Sequence, residues 1–120
     1  MMPFREVLGK IVTETPGGIG AILVDDEGEA IDLFTRGDSY ETKLAGAHHG
    51  IALGLIKRAI TRNGNGNIIG AVSIRSDRYT FSIAPVQDGI FVVLIQDKDG
   101  IPALGMKALL DGIADISELI

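Results

Sequence analysis

The spacing of hydrophobic residues alternates between two periods along the chain and predicts three helices and five strands. Helical spacing begins after Pro3 and stops at the glycine-containing turn of residues 15–18. Helical spacing resumes over residues 40–62 and again after Pro102. Short apolar or alternating runs bounded by turn residues predict strands over residues 19–24, 29–34, 68–75, 79–84 and 90–96. The predicted order is therefore α-β-β-α-β-β-β-α.

Two of these strands, 19–24 and 90–96, are apolar on both faces, so each face of the sheet needs a covering layer. The strand over 29–34 carries polar Glu29 and Asp32, as expected of an outer strand. The first and last helices are apolar on one side only. We therefore predict one domain over residues 1–120, with these two helices together on one face and the long helix on the other.

The long helix over residues 40–62 carries a row of glycines beside a broad apolar arc. Gly46, Gly50 and Gly54 repeat every fourth residue, although a glycine inside a helix costs about 1 kcal/mol relative to alanine. Three glycines in register indicate that another part of the structure approaches closely along this row. Two explanations are open: the helix lies close to its own sheet, or it meets the same helix of a second copy.

Composition and charge narrow the function classes. The 120 residues contain no cysteine, which excludes disulfides and thiolate chemistry. A formal net charge of -5 argues against nucleic acid and against anionic membranes as partners. No apolar run approaches the roughly 20 residues of a membrane span, and the first residues lack the layout of a signal peptide. We expect a cytoplasmic protein with no nucleic-acid partner and no membrane insertion.

Candidate catalytic and metal-binding motifs fail on spacing. His48 and His49 are adjacent and diverge by about 100° on a helix, so they cannot readily chelate one ion. His48 lies on the apolar arc and is expected to be a hydrogen-bonded core or interface histidine, with a histidine pair across a two-fold axis as the alternative that could bind metal or sense pH. Asp97, Asp99 and Gly100 lack the remaining ligands of a calcium loop. There is no phosphate-binding loop motif, and the serines lack a neighbouring His–acid arrangement. We expect no catalytic residue, no metal and no cofactor.

Four stretches resemble the Roadblock/dynein light chain family, and together they span nearly the whole chain. They are residues 16–31, 45–56, 79–97 and 103–110, which read PGGIGAILVDDEGEAI, AGAHHGIALGLI, YTFSIAPVQDGIFVVLIQD and ALGMKALL. In that family the first stretch forms an apolar hairpin and the last opens the C-terminal helix. The dipeptide at 101–102 departs from the pattern. These stretches are signatures of a fold rather than of an activity.

The resemblance implies a profilin-like α/β (α+β) sandwich with a five-stranded antiparallel sheet in the order 2-1-5-4-3. It also implies a homodimer in which the third strand and the long helix pair with their two-fold mates. Residues 68–74 of the third strand, which read IIGAVSI, would form an apolar edge without a protective charge inside it, and pairing would remove that aggregation hazard. The predicted interface residues are Gly46, Ala47, Gly50, Gly54, Ile69, Ala71 and Ser73.

The resemblance further implies a protein-interaction module rather than an enzyme. Family members commonly bind Ras-like small GTPases or scaffold complexes around them, and some bacterial members accelerate GTP hydrolysis by their partner. This chain offers no dedicated catalytic residue, so any acceleration would come from reshaping the partner's active site, with Arg36, Arg75 and Arg78 as loop arginines to test. The alternative is a small-molecule sensory or purely structural dimerisation domain. The low aromatic content and the close-packing glycines argue against an enclosed cavity.

Overall fold

Strands that are apolar on both faces form the middle of the sheet in a computed structural model of the chain, which describes residues 3–62, 70–87 and 89–120. The elements follow the predicted order. They are α1 (Pro3–Glu14), β1 (Gly18–Asp25), β2 (Ala30–Thr35), α2 (Ser39–Arg62), β3 (Val72–Arg75), β4 (Tyr79–Gln87), β5 (Ile90–Asp97) and α3 (Pro102–Leu119).

The strand order is β2-β1-β5-β4-β3, and every neighbouring pair is antiparallel. The predicted element order and sheet order are both confirmed. The third strand is shorter than the predicted span of 68–75, since the described part of it covers Val72–Arg75. Positions 68 and 69 lie outside the described residues. The two outermost strands of this sheet, β2 and β3, are its edges.

Each face of the sheet buries its own apolar cluster, because successive residues of a strand point to opposite faces. The cluster under α1 and α3 consists of Leu8, Ile11, Val12, Ala21, Leu23, Ala84, Val92, Leu94, Leu109 and Ile116. The cluster under α2 consists of Ile22, Val24, Leu53, Ile83, Phe91 and Val93. The predicted placement of two helices on one face and the long helix on the other is therefore confirmed.

The start of α2 is fixed by hydrogen bonds to its first turn and to β2. The Asp38 carboxylate accepts the backbone N–H of Glu41 at 2.9 Å, as an N-cap residue does. Thr42 is buried, and its hydroxyl lies 2.9 Å from both the Asp38 carbonyl oxygen and the Thr35 hydroxyl. The helix is thus anchored where it leaves the β1–β2 hairpin.

The first two glycines of the row on α2 face the chain's own sheet. A Cβ at Gly46 would lie 2.7 Å from Cγ2 of Ile22, and one at Gly50 would lie 3.0 Å from Cγ2 of Val24. Gly46 and Gly50 are buried in the single chain. A Cβ at Gly54 would meet no atom within 4 Å. Of the two explanations that the sequence left open, close packing on the chain's own sheet accounts for Gly46 and Gly50.

One buried side chain connects the loops at the end of the sheet. Gln96 is fully buried, and its Nε2 donates to the carbonyl oxygens of Pro16 at 3.0 Å and Ile101 at 2.9 Å. A Cβ at Gly105 would overlap the Gln96 amide, so the absence of a side chain there makes room for it. Gln96 therefore ties the entry to β1 to the start of α3.

Replacing Gly46 by alanine tests the close contact between α2 and the sheet. Overpacking costs about 1–3 kcal/mol, which exceeds the gain of about 1 kcal/mol in helix propensity. We expect Gly46→Ala to lower the free energy of unfolding, measured by urea denaturation at one protein concentration. The matched variant Gly54→Ala meets no neighbour and is expected to raise it by about 1 kcal/mol. Equal stabilisation by both substitutions would contradict the close packing at Gly46.

Candidate interaction surface

The side of α2 that faces away from the sheet carries an apolar stripe. Tyr40, Leu44, Ile51 and Leu55 are between 40% and 70% exposed, and His48 among them is also exposed. Their spacing of four, four, three and four residues places these five side chains on one face of the helix. Contiguous exposed apolar surface of this kind marks interaction sites in soluble proteins. The stripe is therefore the first candidate for a contact surface.

A groove of about 430 Å³ runs beside the N-terminal half of α2. Its walls include Leu44, His48 and His49 on the helix and Tyr79, Phe81 and Ile95 on the strands. Asp38 and Glu41 line the groove at the beginning of the helix. Leu44 and His48 belong to both the stripe and the groove, so the two features form one continuous surface of apolar and aromatic character.

His49 is held in place where the groove meets β4. Its ring stacks on Phe81 with a centroid distance of 4.0 Å and an interplanar angle of 23°. Its Nδ1 lies 2.7 Å from the carbonyl oxygen of Ala45. A carbonyl oxygen only accepts, so Nδ1 donates here, and Nε2 is an acceptor in the neutral ring.

The structure places the two adjacent histidines in different surroundings. His48 was expected in the core or in an interface, but its side chain is exposed, so the core alternative is wrong. The interface alternative stays a prediction. His49, which the sequence pattern did not single out, is the half-buried histidine with a hydrogen bond and an aromatic partner.

The outer edge of β3 is a second candidate surface. The Ser76 N–H donates to the Tyr79 carbonyl oxygen at 2.8 Å, and backbone groups alternate along a strand. The backbone of Ile74 therefore points to β4, whereas the N–H and C=O groups of Ser73 and Arg75 point away from the sheet. Within the part of the chain that the structure describes, β3 has β4 as its one neighbour.

The helix and this edge adjoin each other. Ile56 of α2 packs against the same apolar cluster as Val72 and Ile74 of β3. A binding partner that covered the stripe on α2 could therefore also reach the outward-facing backbone groups of β3. We call the stripe and the outer edge of β3 together the α2–β3 surface.

The residues predicted for a dimer interface fall into three groups. Gly46 and Gly50 lie on the side of α2 that packs on the chain's own sheet, and their place in a dimer interface stays a prediction. Ala47 packs against Gly28 in the β1–β2 turn, where Gly28 has a φ of 85°. The remaining predicted residues are Gly54 on α2, Ala71 and Ser73 at the edge of the sheet, and Ile69, which lies outside the described residues.

The carboxylates of Asp25 and Asp97 accept hydrogen bonds from the backbone of their own turns. The Asp25 carboxylate accepts the N–H groups of Glu27 and Glu29, each at 2.9 Å, and the Asp97 carboxylate accepts that of Asp99 at 2.9 Å. Over residues 3–62, 70–87 and 89–120, no group of three or more histidine and acidic side chains is placed to hold a metal ion.

Two further properties of the described residues concern the helices. On the exposed face of α3, a hydrogen bond to the carboxylate of Asp111 raises the pKa of the Lys107 ammonium group. None of the helices in the described part of the chain is long and apolar enough to cross a membrane.

The architecture is the Roadblock/LC7 fold, as the resemblance implied. A Roadblock/LC7 domain from Streptomyces avermitilis superposes with a TM-score of 0.85 at 14% identity, covering 96% of this chain and 95% of that one. MglC from Myxococcus xanthus gives a TM-score of 0.72 at 24% identity, covering 99% and 100%. A structure of MglB with a tetrameric arrangement gives 0.81 at 13% identity, covering 95% and 85%. The sequence matches no protein-family model and no curated protein sequence.

The adjacent histidines provide a matched pair of variants. His49→Ala removes a stacked ring, and aromatic pairs contribute about 0.5–1.5 kcal/mol beyond their buried area. We expect His49→Ala to lower the free energy of unfolding by about 1–2 kcal/mol in urea denaturation. His48→Ala, at an exposed position, is expected to change it by less than about 0.5 kcal/mol. A larger effect at position 48 than at 49 would contradict the placement of the two rings.

Proposed function

We propose that this chain is a non-enzymatic, homodimeric interaction module that regulates or scaffolds a Ras-like small GTPase. The observation that carries the proposal is the α2–β3 surface, in which an apolar stripe and a strand edge have no partner among residues 3–62, 70–87 and 89–120. The GTPase class of partner rests on the family that the sequence resembles. The shared fold with MglB and MglC over nearly the full chain length supports the same assignment.

A second copy fits the α2–β3 surface on physical grounds. Strand edges invite pairing with another chain, and β3 contains neither a proline nor a bulge to prevent it. Two antiparallel β3 strands would join the sheets across a two-fold axis and bring the two α2 helices, each with its stripe, to the same face of the joined sheet. Such a contact is isologous, so it satisfies both copies at once and closes.

Two substitutions test this dimer through different interactions. Leu55→Lys places a charge in the stripe, and Ser73→Pro removes an N–H group that points away from the sheet and takes no part in the ladder with β4. We expect both variants to remain folded by circular dichroism. By light scattering we expect them to have the mass of one 12.7 kDa chain, whereas the unmodified protein has twice that mass.

Leu119→Lys is the matched control, since Leu119 is 45% exposed at the end of α3, on the opposite face of the sheet from α2. It is expected to leave the dimer intact. An unmodified protein with the mass of a single chain would contradict the proposed dimer. Dimers formed equally well by all three variants would place the contact elsewhere.

The groove beside α2 is the surface that we assign to the GTPase. It is open to solvent, it combines aromatic and apolar walls with acidic side chains at one end, and interfaces are enriched in such exposed aromatic residues. Tyr79 is 38% exposed on its strand wall. A partner that inserts an apolar side chain between Tyr79 and Leu44 would bury both.

Nucleotide-dependent capture tests the partner class. The immobilised protein is incubated with native lysate containing either GDP or a non-hydrolysable GTP analogue, and the bound proteins are identified by mass spectrometry. We expect a small GTPase that is enriched with one nucleotide, lost with Tyr79→Ala and retained with Leu119→Lys. Capture of proteins that are indifferent to the nucleotide would contradict the regulatory role.

A hydrolysis assay with the captured GTPase tests how the protein would act on it. Arg36, Arg75 and Arg78 are all exposed and lie in or beside loops, so each could in principle enter a partner's active site. Because the proposed role is to reshape the partner's own site, stimulation is expected to survive alanine substitution of all three. Loss of stimulation in the triple variant, with binding retained, would instead identify an inserted arginine.

The groove also gives a specific reason to test the sensory alternative. Its volume of about 430 Å³ lies in the range of about 300–1,000 Å³ that small-molecule sites occupy. A thermal-shift screen with a metabolite panel examines this alternative without any protein partner. A compound that raises the melting temperature of the unmodified protein but not of Tyr79→Ala would favour a sensory domain.

A further inference from the structure

The two edges of the sheet differ in whether another strand can pair with them. The Arg36 N–H donates to the Ile19 carbonyl oxygen of β1 at 2.8 Å, and backbone directions alternate from there along β2. The backbone groups of Asp32 and Phe34 therefore point to β1. Those of Leu33 and Thr35 point away from the sheet, and Leu33 lies at the centre of the outer edge.

Both outward backbone groups of Leu33 are already hydrogen bonded within the chain. Its N–H donates to Oδ1 of Asp32 at 2.8 Å, and its carbonyl oxygen accepts from Nε of Arg5 at 3.2 Å. Arg5 reaches this edge from α1, and its Nε lies 3.7 Å from Oδ1 of Asp32. One pair of opposite charges thus occupies the backbone donor and the backbone acceptor at the centre of this edge.

The burial of Asp32 shows that this arrangement is not a loose surface contact. The Asp32 side chain is 4% exposed, while that of Arg5 is 56% exposed and covers it. A buried carboxylate is expensive unless it is hydrogen bonded and paired. An incoming strand would have to displace Arg5 and break the bond between Asp32 and Leu33, which would leave that carboxylate buried without a partner.

The pairing of β2 with β1 is also irregular near its start. Leu23 pairs with Asp32 and Val24 with Ala30, so Ile31 is an extra residue in β2. Bulges of this kind twist an edge and interrupt the regular ladder that strand addition requires. At the other edge, the register of β3 with β4 is continuous over its four residues.

We propose that Arg5 and Asp32 block the outer edge of β2, so that β3 is the one edge of this sheet that accepts a strand from another chain. For the homodimer this means that assembly through the sheet stops at two copies, a consequence that rests on the proposed dimer. The block itself is a property of the single chain. The partner that it excludes is an extended strand, including the β2 or β3 edge of another copy.

Amide hydrogen exchange, measured by NMR on the full chain, tests the block directly. Asp32→Ala removes the acceptor of the Leu33 N–H, and we expect this amide to exchange about tenfold faster or more, as for the loss of one hydrogen bond to a charged group. The matched variant Asp32→Asn keeps an Oδ1 acceptor and is expected to leave the Leu33 amide protected. Unchanged exchange of this amide in Asp32→Ala would overturn the proposed role of the carboxylate.

The mass of the assembly, measured by light scattering over a range of protein concentrations, tests the consequence. Arg5→Ala, combined with Asp32→Ala so that no unpaired buried charge remains, opens the edge, and we expect its mass to rise with concentration above that of the unmodified protein. Lys10→Ala removes an exposed cation from the same helix and is expected to leave the mass unchanged. A double variant that is folded and has an exposed Leu33 amide, yet keeps a constant mass, would overturn the proposal.

These outcomes separate the block from the proposed dimer. If the unmodified protein has the mass of one chain, the dimer through β3 fails. Growth of the double variant from single chains into larger assemblies would still support the block. If Ser73→Pro is added to the double variant, we expect growth through the opened edge of β2 to persist, although contacts through β3 are removed.

Discussion

The close contact between α2 and the sheet depends on two positions that have no side chain. Gly46 and Gly50 let the helix backbone approach Ile22 and Val24 of β1, and a larger residue at either position would push it away. This contact turns the glycine side of the helix inward. As a result, the wider apolar side, from Leu44 to Leu55, faces away from the sheet and is exposed among the described residues. The inward glycines and the outward stripe are therefore two consequences of one packing choice.

The two edges of the sheet differ in whether their outward backbone groups are already hydrogen bonded. At β2, an ion pair and a bulge occupy the places where another strand would bind. At β3, the outward backbone groups have no strand beside them among the described residues, so pairing there would satisfy their hydrogen bonds. A sheet open on both sides would have no reason to stop at a defined assembly.

Periodicity was sufficient to predict the element order and the layers, whereas the strand order 2-1-5-4-3 was implied by the resemblance to a known family. Runs such as 90–96, apolar on both faces, predicted inner strands that need cover from both sides, and the structure has them there. The contact surfaces were harder to predict, because the face that a helix turns inward depends on neighbours that sequence spacing does not show. The row of glycines indicated close packing but not its partner, and only the positions of Ile22 and Val24 decide that question. The four-four-three-four spacing of the exposed stripe was visible in the sequence, yet nothing in it distinguishes an exposed stripe from a buried one.

Long-range side-chain contacts were outside the reach of sequence patterns altogether. Gln96 bonds to Pro16, 80 positions earlier in the chain, and Arg5 reaches Leu33 across the edge of the sheet. The polar residue Asp32 was expected because β2 is an outer strand, but its carboxylate is buried beside Arg5. An aspartate at this position fits an outer strand, but the contacts of its side chain with Arg5 and Leu33 are seen only in the folded chain.

The place of β1 in the sheet also constrains how the protein comes to be folded. Ile22 pairs with Val93, 71 positions further along the chain, and α1 packs against α3 near the other end. During synthesis, the β1–β2 hairpin emerges well before β5 exists to pair with the inner edge of β1. The pairing of strands so far apart in the chain therefore predicts that the sheet is completed late, after β5 has left the ribosome, with that edge of β1 unpaired until then.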